Sequence, residues 1–153
     1  MGEFEEKIER RLRKGLPIYE YMDFKVESAS KGVYRCAVPL NAKNENHFHT
    51  VHAALQWASV EALGGLVWFA TKPPGNGWLP VVRRFEIDFK RPAGSNIVAE
   101  ASFSESEANR LRAALVEKGR FDFTLESTIR DVAGEMVATA KGFYAIRTLR
   151  TDS

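Results

Sequence analysis

In the stretch HFHTVHAALQWASVEALGGLVWFA, from His47 to Ala70, one carboxylate, Glu61, lies inside an otherwise apolar run. His52 precedes it by nine residues, and Asn46, His47 and His49 stand just upstream. A buried, unpaired carboxylate costs several kcal/mol. Three arrangements relieve that cost: a structural hydrogen-bond partner, exposure to a cleft, or a raised pKa of the kind that suits acid–base work. On a helix of 3.6 residues per turn, Glu61 shares a face with Ala54, Ala58 and Gly65, whereas His52 points to the opposite side. One helix cannot bring that pair together. A symmetric dimer can, because the glutamate of one subunit would then face the histidine and helix start of the other. The small residues Ala54, Ala58, Gly64 and Gly65 either leave room beside Glu61 or let the helix pack closely on a sheet. At the helix start, the amides of His52, Ala53 and Ala54 lack intrahelical acceptors and could polarise a carbonyl on its way to an oxyanion.

The three histidines form the spacing H-x-H-x-x-H, which matches no helical i, i+4 ligand pair and has no assigned carboxylate partner. No metal site is expected, and His47 and His49 read as loop residues. Cys36 is the sole cysteine. It reads as a small buried hydrophobe on a strand, in a chain suited to a reducing compartment.

These residues need elements to hold them. Phe4, Ile8 and Leu12 recur every fourth residue among charges, which predicts an amphipathic first helix ending near Gly15-Leu16-Pro17, within an N-terminal helical segment of residues 1–22. Val33–Leu40 reads as a strand, Asn41–His49 as a loop, and Thr50 as the N-cap of the long apolar helix, about Val51 to Ala70. That helix is apolar around most of its circumference and is expected inside the fold. After the connector Thr71–Gly77, the alternation of Phe85, Ile87 and Phe89 with Glu86, Asp88 and Lys90 predicts a strand from Leu79 to Lys90 with one buried face. Further strands are expected at Ile97–Phe103, Phe121–Arg130 and Glu135–Arg147. A short helix opens at Ser104 and runs to Lys118, and the turn Asp131–Gly134 joins the last two strands. The tail from Thr148 to Ser153 reads as frayed. A mainly antiparallel curved sheet wrapped around one long central helix, an α+β fold in a single domain of residues 1–153, buries such a helix on most sides.

The composition narrows the function classes. With 153 residues, 44% of them hydrophobic, the chain can build one sizeable core. Its 22 basic and 20 acidic residues nearly cancel, so the charge gives no general reason to expect nucleic acid or an anionic membrane as partner. The charged first residues contain no apolar run of signal-peptide length, and the central run is interrupted by His52, Gln56 and Glu61, so a cytoplasmic location is expected.

Taken in order, these residues resemble the hotdog-fold acyl-CoA thioesterases, particularly the phenylacetate-pathway type and an uncharacterised thioesterase-like branch. The resemblance covers roughly Val33 to Arg147. It rests on the spacing of Asn46, His52 and Glu61, six and nine residues apart, on FEIDFKRPAGSNIVAEASF, and on DVAGEMVATAKGFYAIR. It implies a hotdog fold and hydrolysis of an acyl-CoA or other acyl thioester. Glu61 would activate water as general base or attack as nucleophile, Asn46 would help position that water or the acid, and the Ala53 amide, supported by His52, would hold the thioester oxygen. Ala54 and Gly65 would border the substrate, and Arg83, Arg84 and Arg91, with Lys90, would meet CoA phosphates. No cofactor is implied beyond CoA as part of the substrate. The partner implied is a second copy, as a homodimer or a dimer of dimers (a homotetramer). Three features depart from the family pattern: Ala53-Ala54 replace glycines, the strand at Leu79–Arg84 has no serine or threonine to orient water, and a polar helix at Glu105–Lys118 replaces a simple hairpin. Two alternatives stay open: a non-catalytic acyl- or CoA-binding hotdog protein, and an enzyme like the 3-hydroxyacyl carrier-protein dehydratases, in which His47 would act instead of His52.

Overall fold

The chain forms six strands: β1 (Lys25–Ser30), β2 (Val33–Val38), β3 (Trp78–Phe89), β4 (Ile97–Ser102), β5 (Arg120–Arg130) and β6 (Met136–Thr148). In this computed structural model, which describes residues 2–149, they form one antiparallel sheet in the order β1-β2-β4-β5-β6-β3. The sheet curves around the central helix α3 (Ala53–Thr71), which gives the α+β hotdog fold expected above. Leu55, Leu63, Leu66 and Val67 of α3 are buried against it, as are Phe24, Val38, Ile97, Ile129 and Ile146 from the surrounding chain. Three helices lie outside: α1 (Glu3–Gly15), α2 (Pro17–Tyr21) and α4 (Glu105–Lys118).

Local chemistry sets the boundaries of α4. The Ser104 hydroxyl accepts from the Glu107 amide at 3.1 Å, and the Glu107 carboxylate accepts from the Ser104 amide at 2.7 Å. This reciprocal cap satisfies two otherwise orphaned donors. Gly119 ends the helix at φ 68°, in the left-handed region that a side chain would disfavour. The β5–β6 turn is held by Asp131 Oδ1, which accepts from the amides of Ala133 and Glu135.

The structure corrects several expectations. The central helix begins at Ala53 with His52 as N-cap, not at Val51 with Thr50. Thr50 is already spent: its hydroxyl accepts from Asn46 Nδ2 at 2.9 Å and its amide donates to Asn46 Oδ1 at 3.1 Å. The enclosure of α3 on most sides holds, and its open stripe carries the exposed Trp57 and the half-buried Glu61 and Gly65. Phe4 is also exposed, so only Ile8 and Leu12 of the first helical stripe reach the core. On β3, Phe85 and Ile87 are half-buried and Phe89 is exposed, because this strand is the sheet's edge. The structure adds strand β1 and divides the expected N-terminal helical segment into α1 and α2. Thr148 does not fray: its amide and hydroxyl both donate to the Gly119 carbonyl, at 2.9 and 2.8 Å. The rest of the expected tail, from residue 150 on, lies outside the described residues.

Candidate functional site

Pro17 stands at the first position of α2 and turns the chain after α1. The turn drives Tyr19 inward, where its ring stacks on Phe24 at 4.8 Å between centroids. From there the Tyr19 hydroxyl donates a 2.8 Å hydrogen bond to Glu61 Oε2. Burial raises the Glu61 pKa above the usual carboxylate range, and the hydrogen bond from Tyr19 works against that rise. Burial, followed by the neighbouring Glu61, also pushes the Tyr19 phenol upward, so it stays a protonated donor. Behind the carboxylate, the Tyr144 hydroxyl donates to the Glu61 carbonyl at 3.0 Å. The ring of Tyr144 fits there only because residue 64 is glycine, since a Cβ at Gly64 would lie 2.1 Å from it.

Glu61 opens onto a cavity of about 550 Å³. The cavity runs beside α3 past Gly65, Trp68 and Phe69 towards Lys72, with Leu12 and Leu16 on one side and Trp78 on the other. A Cβ at Gly65 would meet nothing within 4 Å, so this glycine keeps the cavity wide beside the acid. The connector contributes Gly75, Asn76 and Gly77 to the wall. Partner, cleft and raised pKa, posed as alternatives for Glu61, are thus found together.

The second group of candidate residues surrounds the start of α3. His52 Nδ1 accepts from the Ala54 amide at 3.0 Å, which leaves the imidazole proton on Nε2. The Ala53 amide has no acceptor among the described residues. Both His52 and Ala54 are exposed. A groove beside them is lined by Asn46, Ala53, Gln56, Phe89, Lys90 and Arg91. Asn46 Oδ1 also accepts from the Phe48 amide at 2.9 Å, so the side chain shapes the loop ahead of the helix. Nine residues at 1.5 Å rise set Glu61 roughly 13 Å along the axis from His52. Within one chain the acid and the helix start remain apart.

The basic candidates are divided between two places. Arg91 sits in the groove and pairs with Glu135 at 3.1 Å. Arg83 pairs with Asp122 at 3.2 Å and Arg84 with Glu86 at 2.6 Å, and neither lines the cavity or the groove. His47 lies against the Phe48 ring, 4.0 Å between centroids, and His49 Nδ1 is 3.1 Å from Glu45 Oε2. Among the described residues no three His, Cys, Asp or Glu side chains converge as a metal-binding group. The residue of this candidate site that the sequence does not single out is Tyr19. It is 42 positions from Glu61, and no local pattern announces the contact.

The family model for a domain of unknown function, DUF4442, matches residues 7–144. A Pseudomonas aeruginosa protein of unknown function, described as a probable thioesterase, superposes with TM-score 0.80 at 25% identity, covering 93% of this chain and 95% of its own. A Shewanella oneidensis protein assigned provisionally as a thioesterase gives 0.78 at 20% identity, covering 98% and 100%. A Chlorobaculum tepidum protein of unknown function gives 0.82 at 20% identity, covering 94% of each chain. No curated protein matches the chain. No helix among the described residues is long and apolar enough to cross a membrane.

Proposed function

This chain belongs to the DUF4442 family, and from that premise we propose that it hydrolyses acyl thioesters, acyl-CoA in the first instance, as a homodimer with composite active sites. The observation that carries the reading is a half-buried carboxylate with raised pKa, hydrogen-bonded by Tyr19 and facing an apolar cavity. The free helix start that would complete the site lies out of its reach in the same chain. In the composite site Glu61 of one subunit takes a proton from water while the water oxygen bonds to the thioester carbonyl carbon. The carbonyl oxygen becomes the oxyanion and is held by the Ala53 amide of the other subunit, at the positive end of α3. Collapse of the tetrahedral intermediate breaks the C–S bond, and the thiolate departs and is protonated. His52, through its cap on the Ala54 amide, fixes the geometry of that helix start, and Asn46 fixes the loop leading into it. Lys90 and Arg91, beside the same groove, supply positive charge for CoA phosphates.

Thiol release from a panel of acyl-CoAs, comparing wild type with Glu61→Gln at matched folding and oligomeric state, tests this. The variant is expected to lose roughly 100-fold or more in kcat/KM. Turnover by wild type that survives the substitution would overturn the role of Glu61. Saturable acyl-CoA binding with no turnover of any ester would favour the acyl-binding alternative. The name thioesterase carried by structural neighbours supports the reaction class, and the cavity supports an acyl group as the part enclosed.

A further inference from the structure

The cavity beside Glu61 has a chemical polarity along its length. At one end is the carboxylate, the only acidic side chain among the described residues of its lining. Aromatic and aliphatic residues form the middle. Towards the far end are Lys72, 11 residues and so roughly 16 Å further along α3, and Arg11 of α1, which lies over Phe69.

The cations of α1 are not alike. Arg13 is held by Glu9, Glu20 and Asp23 at 3.5, 2.7 and 3.8 Å. Arg11 has no carboxylate within ion-pair distance among the described residues, and its guanidinium lies over the Phe69 ring, 5.0 Å from the centroid. Phe69 is itself part of the cavity wall. Lys72 likewise has no described ion-pair partner, and its backbone amide closes the end of α3 on the Trp68 carbonyl at 2.9 Å. Two cations without a carboxylate partner among the described residues, at the end of an aromatic-walled cavity, form a site that a purely hydrocarbon acyl chain leaves unused and that an anionic terminus would neutralise.

We propose that Arg11 and Lys72 are specificity-determining residues that select acyl groups ending in a carboxylate, so that the preferred substrates are thioesters of dicarboxylic acids. The idea rests on the thioester-hydrolysis reading for its kinetic expression, but the anion site can be examined without turnover. With the reacting carbonyl beside Glu61, the chain extends past Gly65 and Trp68, and its distal carboxylate meets the guanidinium and ammonium groups at the rim.

The kinetic experiment compares dodecanoyl-CoA with dodecanedioyl-CoA, equal in carbon count and different only in the terminal carboxylate, with a chain long enough to reach the cations. Wild type is expected to favour dodecanedioyl-CoA by roughly tenfold in kcat/KM, and the double variant Arg11→Gln, Lys72→Gln to bring that ratio near one. A wild-type ratio at or below one overturns the proposal. A variant that slows both esters by the same factor also overturns it, because the cations would then serve the phosphates common to both. If no CoA ester is hydrolysed, thermal-shift titration with monomethyl dodecanedioate and methyl dodecanoate, whose ester ends stand in for the thioester, still decides. A larger stabilisation by the monomethyl diacid that disappears in the double variant supports the anion site, and equal responses overturn it.

Discussion

Along the β1 edge of the sheet, α1 lays Glu5 and Glu9 against the strand, where they accept hydrogen bonds from the Ala29 and Val26 amides at 3.3 and 3.4 Å. Along the β3 edge no described residue takes the outward backbone groups, and Leu79, Val81 and Phe89 stay exposed. Pro80, the register shift between Val82 and Arg84 and the exposed charges of Arg83, Arg84, Glu86 and Asp88 blunt this edge only in part. The first edge is closed by the chain itself, and its closing segment continues through α2 to place Tyr19 on Glu61. The second is a template for another strand, on the side where α3 exposes Trp57 and half-exposes Glu61 and Gly65. A second copy docked on β3 would cover that stripe, which is the geometry the composite site needs.

The comparison breaks most visibly at β3. Leu79→Lys combined with Phe89→Lys places like charges along the open edge at positions already exposed, so the fold should persist. Sedimentation equilibrium is expected to show a monomer, and thiol release to fall about 100-fold as Glu61 loses the partner's helix start. An undiminished dimer with full turnover would remove the β3 edge as the interface.

At the closed edge the consequence is one of stability. Glu5→Ala leaves the buried Ala29 amide without its acceptor and should lower unfolding free energy by about 1 to 2 kcal/mol in urea titration, with oligomeric state unchanged. A change of oligomeric state in this variant would mean that both edges take part in assembly.

The same contrast explains what was legible in the sequence. The α4 cap, the Asp131–Gly134 turn and the long apolar helix are written in neighbouring residues, and the structure contains each of them. Strand β1 escaped because a register shift between Val26 and Ser28 breaks its alternation. The helix α2 has five residues, too few for a period to show. Thr50 is a good cap by type, but the turn closed by Asn46 had already used its amide and hydroxyl, and that competition is decided in three dimensions. At the site, Glu61 and the helix start could be read from one segment. Tyr19 could not, because its contact depends on how the edge-closing segment folds back over α3.

The smallest expected effect sharpens that last link. Glu61 is a carboxyl whose folded pKa lies above its unfolded value, so between the two values the folded protein holds more protons than the unfolded chain. Its contribution to stability is therefore full in acid and is lost as pH rises from the ordinary carboxylate range through the raised folded value. This is the reverse of a salt-bridged acid. Glu61→Gln keeps an acceptor for the Tyr19 hydroxyl and removes the titration, so the variant should gain stability relative to wild type as pH rises to 8 and converge with it in acid. Tyr19→Phe removes the hydrogen bond that favours the carboxylate, so the acid limb of the activity profile should move to higher pH, toward the value burial alone would set. Thermal unfolding at fixed protomer concentration across pH 4 to 8, paired with the activity profile, reads both shifts. A wild type and Glu61→Gln pair that keep a constant difference across that range would show that the acid carries no raised pKa and that the cavity leaves it as well solvated as a surface glutamate.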